Sequence, residues 1–263
     1  MKNNFREEKF GICIISVDNK VRNPDLPNQA IKFWSGAKVE LIKALTPKDI
    51  SQDLLCYLRE ESSALLGRRI SDFEIAVAQS HRKCYQMAND KGYSKLLILE
   101  DDVHIFKKFT ISKTDLERLD ESKNIIISLY APKWSLWVNR KGKTMSLYPP
   151  AYAAAYLINR NGINFALSHE SLGLADWPTW SSKFKFYLTS GEQFDTVVTN
   201  SYLEAERQKS KIEKSRKDLF VRTKYKSQKI KKVEIFKYKF LYPLLWKLLG
   251  NKSGNSRILK FYL

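Results

Sequence analysis

The stretch KLLILEDDVHIF, residues 95–106, runs an unbroken aliphatic segment straight into Glu100, Asp101 and Asp102. A strand without polar alternation is covered on both faces, as central strands of parallel sheets are. Three adjacent carboxylates at its end repel one another unless something cationic sits among them. The same stretch therefore constrains both the fold and the chemistry.

GICIIS (11–16) and NIIISLY (124–130) are further strands of the same unbroken kind. SQDLLCYLREESSALLG is helical by spacing, with Leu54, Leu55, Leu58 and Leu65 on one side and Gly67 as its stop. SDFEIAVAQSHRKCYQMANDKG is the clearest helix, because Ser71 and Glu74 stand at capping-box spacing and Gly92 closes it. PPAYAAAYLINRNGINFAL begins as a small-residue strand and turns helical near Asn161. NQAIKFWSGAKVELIKAL mixes helical and strand patterns. Strands alternating with helices through residue 170 predict an α/β fold with a mostly parallel central sheet.

A chain of 263 residues, 43% of them hydrophobic, is long enough to bury a real core. Cys13, Cys56 and Cys84 form no CxxC pair, so neither a disulfide framework nor a structural zinc site is expected, and a reducing cytoplasm fits. No segment reaches the roughly 18 apolar residues of a membrane span. The net charge of +18 invites a nucleic-acid reading, but residues 204–263 alone hold 18 Lys and Arg against 5 Asp and Glu, a net +13. The expected organisation is a catalytic domain over 1–203 and a basic, aromatic-rich tail over 204–263. Tyr238, Phe240, Tyr242 and Trp246 interleave with lysines there, which suits an anionic membrane surface.

On an extended chain residues i and i+2 point the same way, so Glu100 and Asp102 converge while Asp101 faces elsewhere. The C-terminal end of a buried strand is where ligands bind in open α/β sheets, and the loop VDNKVRNPDLPN after the first strand falls at the same end. An ordinary surface loop would read the same way. Hard oxygen ligands suit Mg²⁺ or Mn²⁺, which complete their shells with water and substrate phosphates. An ion bridging a nucleotide diphosphate would resolve the repulsion. The alternative is an acidic strand end in plain solvent, with His104 exposed beside it.

Taken together, GRRISDFEIAVAQSH (67–81), LLILEDDV (96–103), PPAYAAAYLINRNGINFAL (149–167) and LADWP (174–178) resemble glycosyltransferase family 25, which includes bacterial lipopolysaccharide and lipooligosaccharide galactosyltransferases. The resemblance implies a metal-dependent, inverting transferase of GT-A type that moves a hexose, galactose first, from a UDP-sugar donor to a lipid-linked saccharide acceptor. The family's Glu-Ile and Ser-His fall on Glu74, Ile75, Ser80 and His81, and its EDDV on Glu100 to Val103. Where the family has glycines flanking that Glu-Ile pair and then a cysteine, this chain has Phe73, Ala76 and Val77.

The implied roles are Glu100 and Asp102 on the metal, Asp101 and Asp102 on the donor, and a carboxylate base. Asp176 is the first choice of base, with Glu74 and Asp195 as rivals. Glu74 serves equally well as a helix cap, His81 as a structural histidine and Asp176 as a turn residue. Trp134, Trp137, Trp177 and Trp180 are either sugar platforms or packing. The acceptor and the tail together imply a protein peripheral on the inner face of the cytoplasmic membrane, with no nucleic-acid partner. A metal-dependent nuclease and an inactive transferase-like scaffold are the competing functional readings.

Overall fold

The computed structural model describes residues 9–17, 21, 23–32, 36–66, 69–105, 112–129, 136–138, 144–146, 153–175, 178–188 and 198–199. The basic tail, Asp176, Trp177, Asp195 and Trp134 lie outside the described residues. In chain order the elements are β1 (Phe10–Ser16), α1 (Leu26–Ile31), β2 (Lys38–Lys43), α2 (Gln52–Leu66) and α3 (Asp72–Asp90). They continue with β3 (Lys95–Glu100), β4 (His104–Ile105), α4 (Lys113–Leu119), β5 (Ile125–Ser128), β6 (Leu136–Val138) and β7 (Thr144–Ser146). β8 (Ala155–Asn159), α5 (Arg160–Leu167), β9 (Lys185–Leu188) and β10 (Val198–Thr199) complete the series.

Six strands form one sheet in the order β2-β1-β3-β8-β5-β9. β1 pairs in parallel with β2 and β3, and β5 in parallel with β9. The sheet is mostly parallel, as expected, with one exception. β8 runs antiparallel to both of its neighbours, β3 and β5. The reason is connectivity: the chain travels from β5 to β8 through the antiparallel β6–β7 pair, with no crossover helix among the described residues to carry it back to the starting edge. β3, expected between parallel partners, is parallel on its β1 side only.

Strand parity sorts the core into two layers. Ile12, Ile14, Leu97, Leu99, Ile125, Ile127 and Leu157 face α1 and α4, meeting Leu26, Ala30 and Leu119. Cys13, Ile15, Leu96, Ile98, Ile126, Tyr156 and Ile158 face α3 and α5, meeting Cys84, Tyr85, Ala88, Ile163 and Ala166. This is why the strands read as continuous apolar runs: each face needs its own apolar set. Gly11 has a packing reason of its own, since a Cβ there would run into the Tyr93 ring.

α3 and α5 cap one another. Arg82, in the middle of α3, donates to the carbonyls of Ala166 (3.0 Å) and Leu167 (2.8 Å) in the last turn of α5, and to His169 (2.6 Å) beyond it. Arg160, at the first position of α5, reaches the Ala88 and Tyr93 carbonyls and the Asn89 side chain at the end of α3. The carbonyls a helix leaves open at its C-terminus thus find cationic donors. Asn159 caps α5, accepting from the Gly162 N–H at 3.0 Å.

Candidate active site

β1 and β3 end side by side, and the three carboxylates sit at that edge. β3 stops at Glu100, where a turn closed by the Val103 N–H on the Glu100 carbonyl (3.2 Å) carries Asp101 and Asp102. The extended geometry that would align Glu100 with Asp102 therefore ends at Glu100. The two side chains differ in setting: Asp102 is fully buried, whereas the Glu100 side chain is 31% exposed. Asp101, almost fully buried, is fixed through its backbone, donating to the Ile15 carbonyl (3.1 Å) and accepting from the Asn23 N–H (2.9 Å).

Asn23 is the clamp that sequence reasoning missed. It lies in the polar loop after β1, is buried, and its Nδ2 donates to the Val103 carbonyl at 2.8 Å while its Oδ1 accepts from the Asp25 N–H at 3.2 Å. It ties that loop to the carboxylate turn from both sides. An Asn in such a loop, able to mimic a backbone turn with its side chain, was the available signal. On the other flank the Glu100 N–H donates to the Ala154 carbonyl (2.8 Å), so the entry into β8 closes the edge.

By parity Glu100 follows Leu96 and Ile98 onto the α3 face. There His81 Nε2 stands 3.8 Å from Glu100 Oε1. His81 Nδ1 meets the Tyr156 hydroxyl at 2.9 Å, and that hydroxyl meets Tyr85 at 2.6 Å. All three rings are buried. Burial pushes the Tyr85 phenol up, opposed by its hydrogen bond with Tyr156, and burial together with Tyr85 raises Tyr156 well above its ordinary value, so both keep their protons. Burial, with Cys84 beside it, likewise holds Cys13 as an inert thiol.

Ser80 accepts from the Leu45 N–H at 2.8 Å and donates to the Ala76 carbonyl at 2.7 Å, pinning the segment after β2 to α3. Glu74 completes the capping box: its Oε2 takes the Ser71 N–H (2.9 Å) and hydroxyl (3.1 Å), and Ser71 Oγ accepts the Glu74 N–H (3.3 Å). Ile75 and Ala76 pack with Leu55, Leu58 and Leu174. The Gly173 N–H donates to Ser62 Oγ at 2.9 Å, and Gly173 forms a β-bridge with Pro178, which brackets the segment holding Asp176. Trp180 is a core residue, edge-on to Tyr85 and 4.8 Å from the Phe184 ring, not a sugar platform. Of Trp137 only the backbone is described, in β6. His104 pairs through its backbone with Thr199.

Among the described residues no three His, Cys, Asp or Glu side chains come close enough to hold a metal ion. This donor set does not make a protein cage. It does fit a hard ion held by one or two carboxylates, with substrate oxygens and water filling the other positions. Glu100 and Asp102 are the oxygen donors available for that.

In open α/β sheets ligands bind at the carboxyl ends of the strands, the edge that here carries the acidic side chains and the clamped loop. Residues 11–148 match the model of glycosyltransferase family 25, described as an LPS biosynthesis protein; the chain belongs to this family and is a glycosyltransferase. No curated protein matches the chain. Among solved structures it overlaps A197 from STIV at 13% identity and TM-score 0.32, over 59% of this chain and 67% of that one. A glycosyltransferase involved in glycosylating the major capsid of PBCV-1 overlaps at 13% identity and TM-score 0.27, over 60% and 63%. GlyE from Streptococcus pneumoniae TIGR4 overlaps at 16% identity and TM-score 0.29, over 62% and 37%. Overlaps this loose carry no argument about chemistry.

Proposed function

We propose that this glycosyltransferase moves a hexose, galactose first, from a UDP-sugar to a lipooligosaccharide or lipopolysaccharide acceptor, with inversion at the transferred carbon. The observation that carries the reading is the Glu100–Asp102 turn held at the carboxyl edge of β1 and β3 in a chain of this family. In it the β1–α1 loop clamped by Asn23 forms the wall for the nucleotide, and the turn faces the diphosphate. Mn²⁺ or Mg²⁺, held by Asp102 and Glu100, would neutralise charge on the departing UDP. The acceptor hydroxyl is deprotonated by a carboxylate as it attacks in line.

For that base we retain Asp176. Glu74 already spends one oxygen on the α3 cap, where it holds the Ser71 N–H and hydroxyl. The basic tail holds the enzyme at an anionic membrane surface, on the inner face where a lipid-linked acceptor would be extended. The test is incubation of the full chain with UDP-galactose, UDP-glucose and the UDP-N-acetylhexosamines, with Mn²⁺ and a deacylated lipooligosaccharide acceptor, following UDP release and product mass. Transfer that prefers UDP-galactose and stops in excess chelator is expected. No release from any UDP-sugar would overturn the donor reading, and full turnover in chelator would overturn the metal.

A further inference from the structure

The buried chain Tyr85–Tyr156–His81 ends at Glu100, and its hydrogen atoms can be placed by elimination. Among the described residues the Tyr85 hydroxyl has one polar neighbour, the Tyr156 oxygen at 2.6 Å. Its proton, kept by burial, must go there or be stranded at a cost. Tyr156 then accepts from Tyr85 and its own O–H is free to donate only to His81 Nδ1, 2.9 Å away. A ring nitrogen that accepts carries no proton, so the neutral imidazole holds its hydrogen on Nε2. That N–H is the one facing Glu100 Oε1 at 3.8 Å, and it has no hydrogen-bond partner among the described residues. The opposite arrangement fails twice: it strands the Tyr85 proton and turns a bare Nε2 lone pair on a carboxylate.

We propose that His81 is a positioning residue for Glu100: Tyr85 and Tyr156 fix it as the Nε2–H tautomer, and that N–H holds Oε1 of Glu100 so that the other oxygen is presented to the cleft. A separation of 3.8 Å is beyond a hydrogen bond. The imidazole is locked by its stack on Tyr156, with centroids 5.8 Å apart and planes at 17°, whereas the Glu100 side chain is partly exposed and can turn. Such contacts tighten when substrate arrives. The device also explains the strand choice. Tyr156 stands opposite Ile98 on the reversed strand β8, the register that puts its hydroxyl between the two α3 side chains. This inference rests on the reading of Glu100 as a donor-cleft carboxylate, and its test separates the two.

The chain has three histidines, so selective ¹⁵N-histidine labelling of the full-length protein gives a simple spectrum, with His81 assigned by its loss in His81→Gln. In spectra recorded over a pH series the two ring-nitrogen shifts distinguish the charged ring from each neutral tautomer. The expected result is a protonated Nε2 and an accepting Nδ1, an Nε2–H resonance that moves in Glu100→Gln, and no movement in the surface variant Glu117→Gln. Tyr156→Phe, or Tyr85→Phe should the first fold poorly, is expected to give a mixture of tautomers. In transfer assays it lowers kcat about tenfold or more, with KM for the UDP-sugar little changed. In the Glu100→Gln background the same change costs nothing further, a coupling that a purely structural tyrosine would not show. A protonated Nδ1 in the wild type, an Nε2–H indifferent to Glu100→Gln, or equal losses in both backgrounds would overturn the proposal. Full transfer by Glu100→Gln, with the spectra as expected, would instead overturn the reading of Glu100 in the donor cleft and reduce the contact to a structural one.

Discussion

The two ends of the central sheet treat buried polar groups differently. At the end away from the carboxylates, Asn159 accepts from the Gly162 and Ile125 N–H groups, both at 3.0 Å, and donates to the carbonyls of Lys123, Leu119 and Glu121. Arg160 is matched three times over, and Lys95, buried at the start of β3, is paired with Asp120. At the carboxylate end, Ser16 Oγ and His81 Nε2 are buried without a hydrogen-bond partner among the described residues, and Asp102 is fully buried. Asn159, Arg160 and Lys95 at the first end are matched and hold the fold. The other keeps valences open, which is tolerable where a ligand completes them.

The contrast can be broken most forcefully at Asn159. Replacing it with Ala removes a helix cap and leaves several buried backbone groups unmatched, so unfolding in urea should show a loss of about 3 kcal/mol or more, with activity per folded molecule retained. Asp102→Asn should do the reverse. It should cut transfer by about 100-fold or more, equivalent to about 2.7 kcal/mol in the transition state, while moving the urea midpoint far less than the Asn159 change. Should Asp102→Asn unfold the protein instead, the carboxylate end is also a stability centre and the contrast fails.

Arg82→Met sharpens it further, since the methionine keeps much of the stem and loses the three carbonyl contacts. A loss of about 1–2 kcal/mol by thermal melting is expected, with donor affinity by calorimetry unchanged. Ser16→Ala should have the smallest effect on the fold. Removing a buried hydroxyl that lacks a partner is neutral or stabilising by under about 1 kcal/mol, and any accompanying loss of donor affinity would mark Ser16 as a ligand contact.

These features were unevenly legible in the sequence. β1, β3 and β5 announced themselves because a strand buried on both faces must be apolar throughout, and the Ser71/Glu74 box because capping needs those residues at that spacing. The direction of β8 was not legible, because AYLIN is buried on both faces whichever way it runs. The turn at Asp101–Asp102 was hidden as well. It contains no glycine or proline, and its shape is imposed by Asn23 from a distant loop. The Tyr85–Tyr156–His81 chain joins residues more than 70 positions apart, so only the strand order reveals it.

The reversed strand also has a consequence for register. Leu129, just after β5, donates its N–H to the Ala155 carbonyl at 2.9 Å, and Ala154, just before β8, accepts from Glu100. Both points lie at the carboxylate edge, and both are held by main-chain bonds that no side chain specifies. The register of β8 between its neighbours therefore does not depend on which side chains residues 130–152 carry.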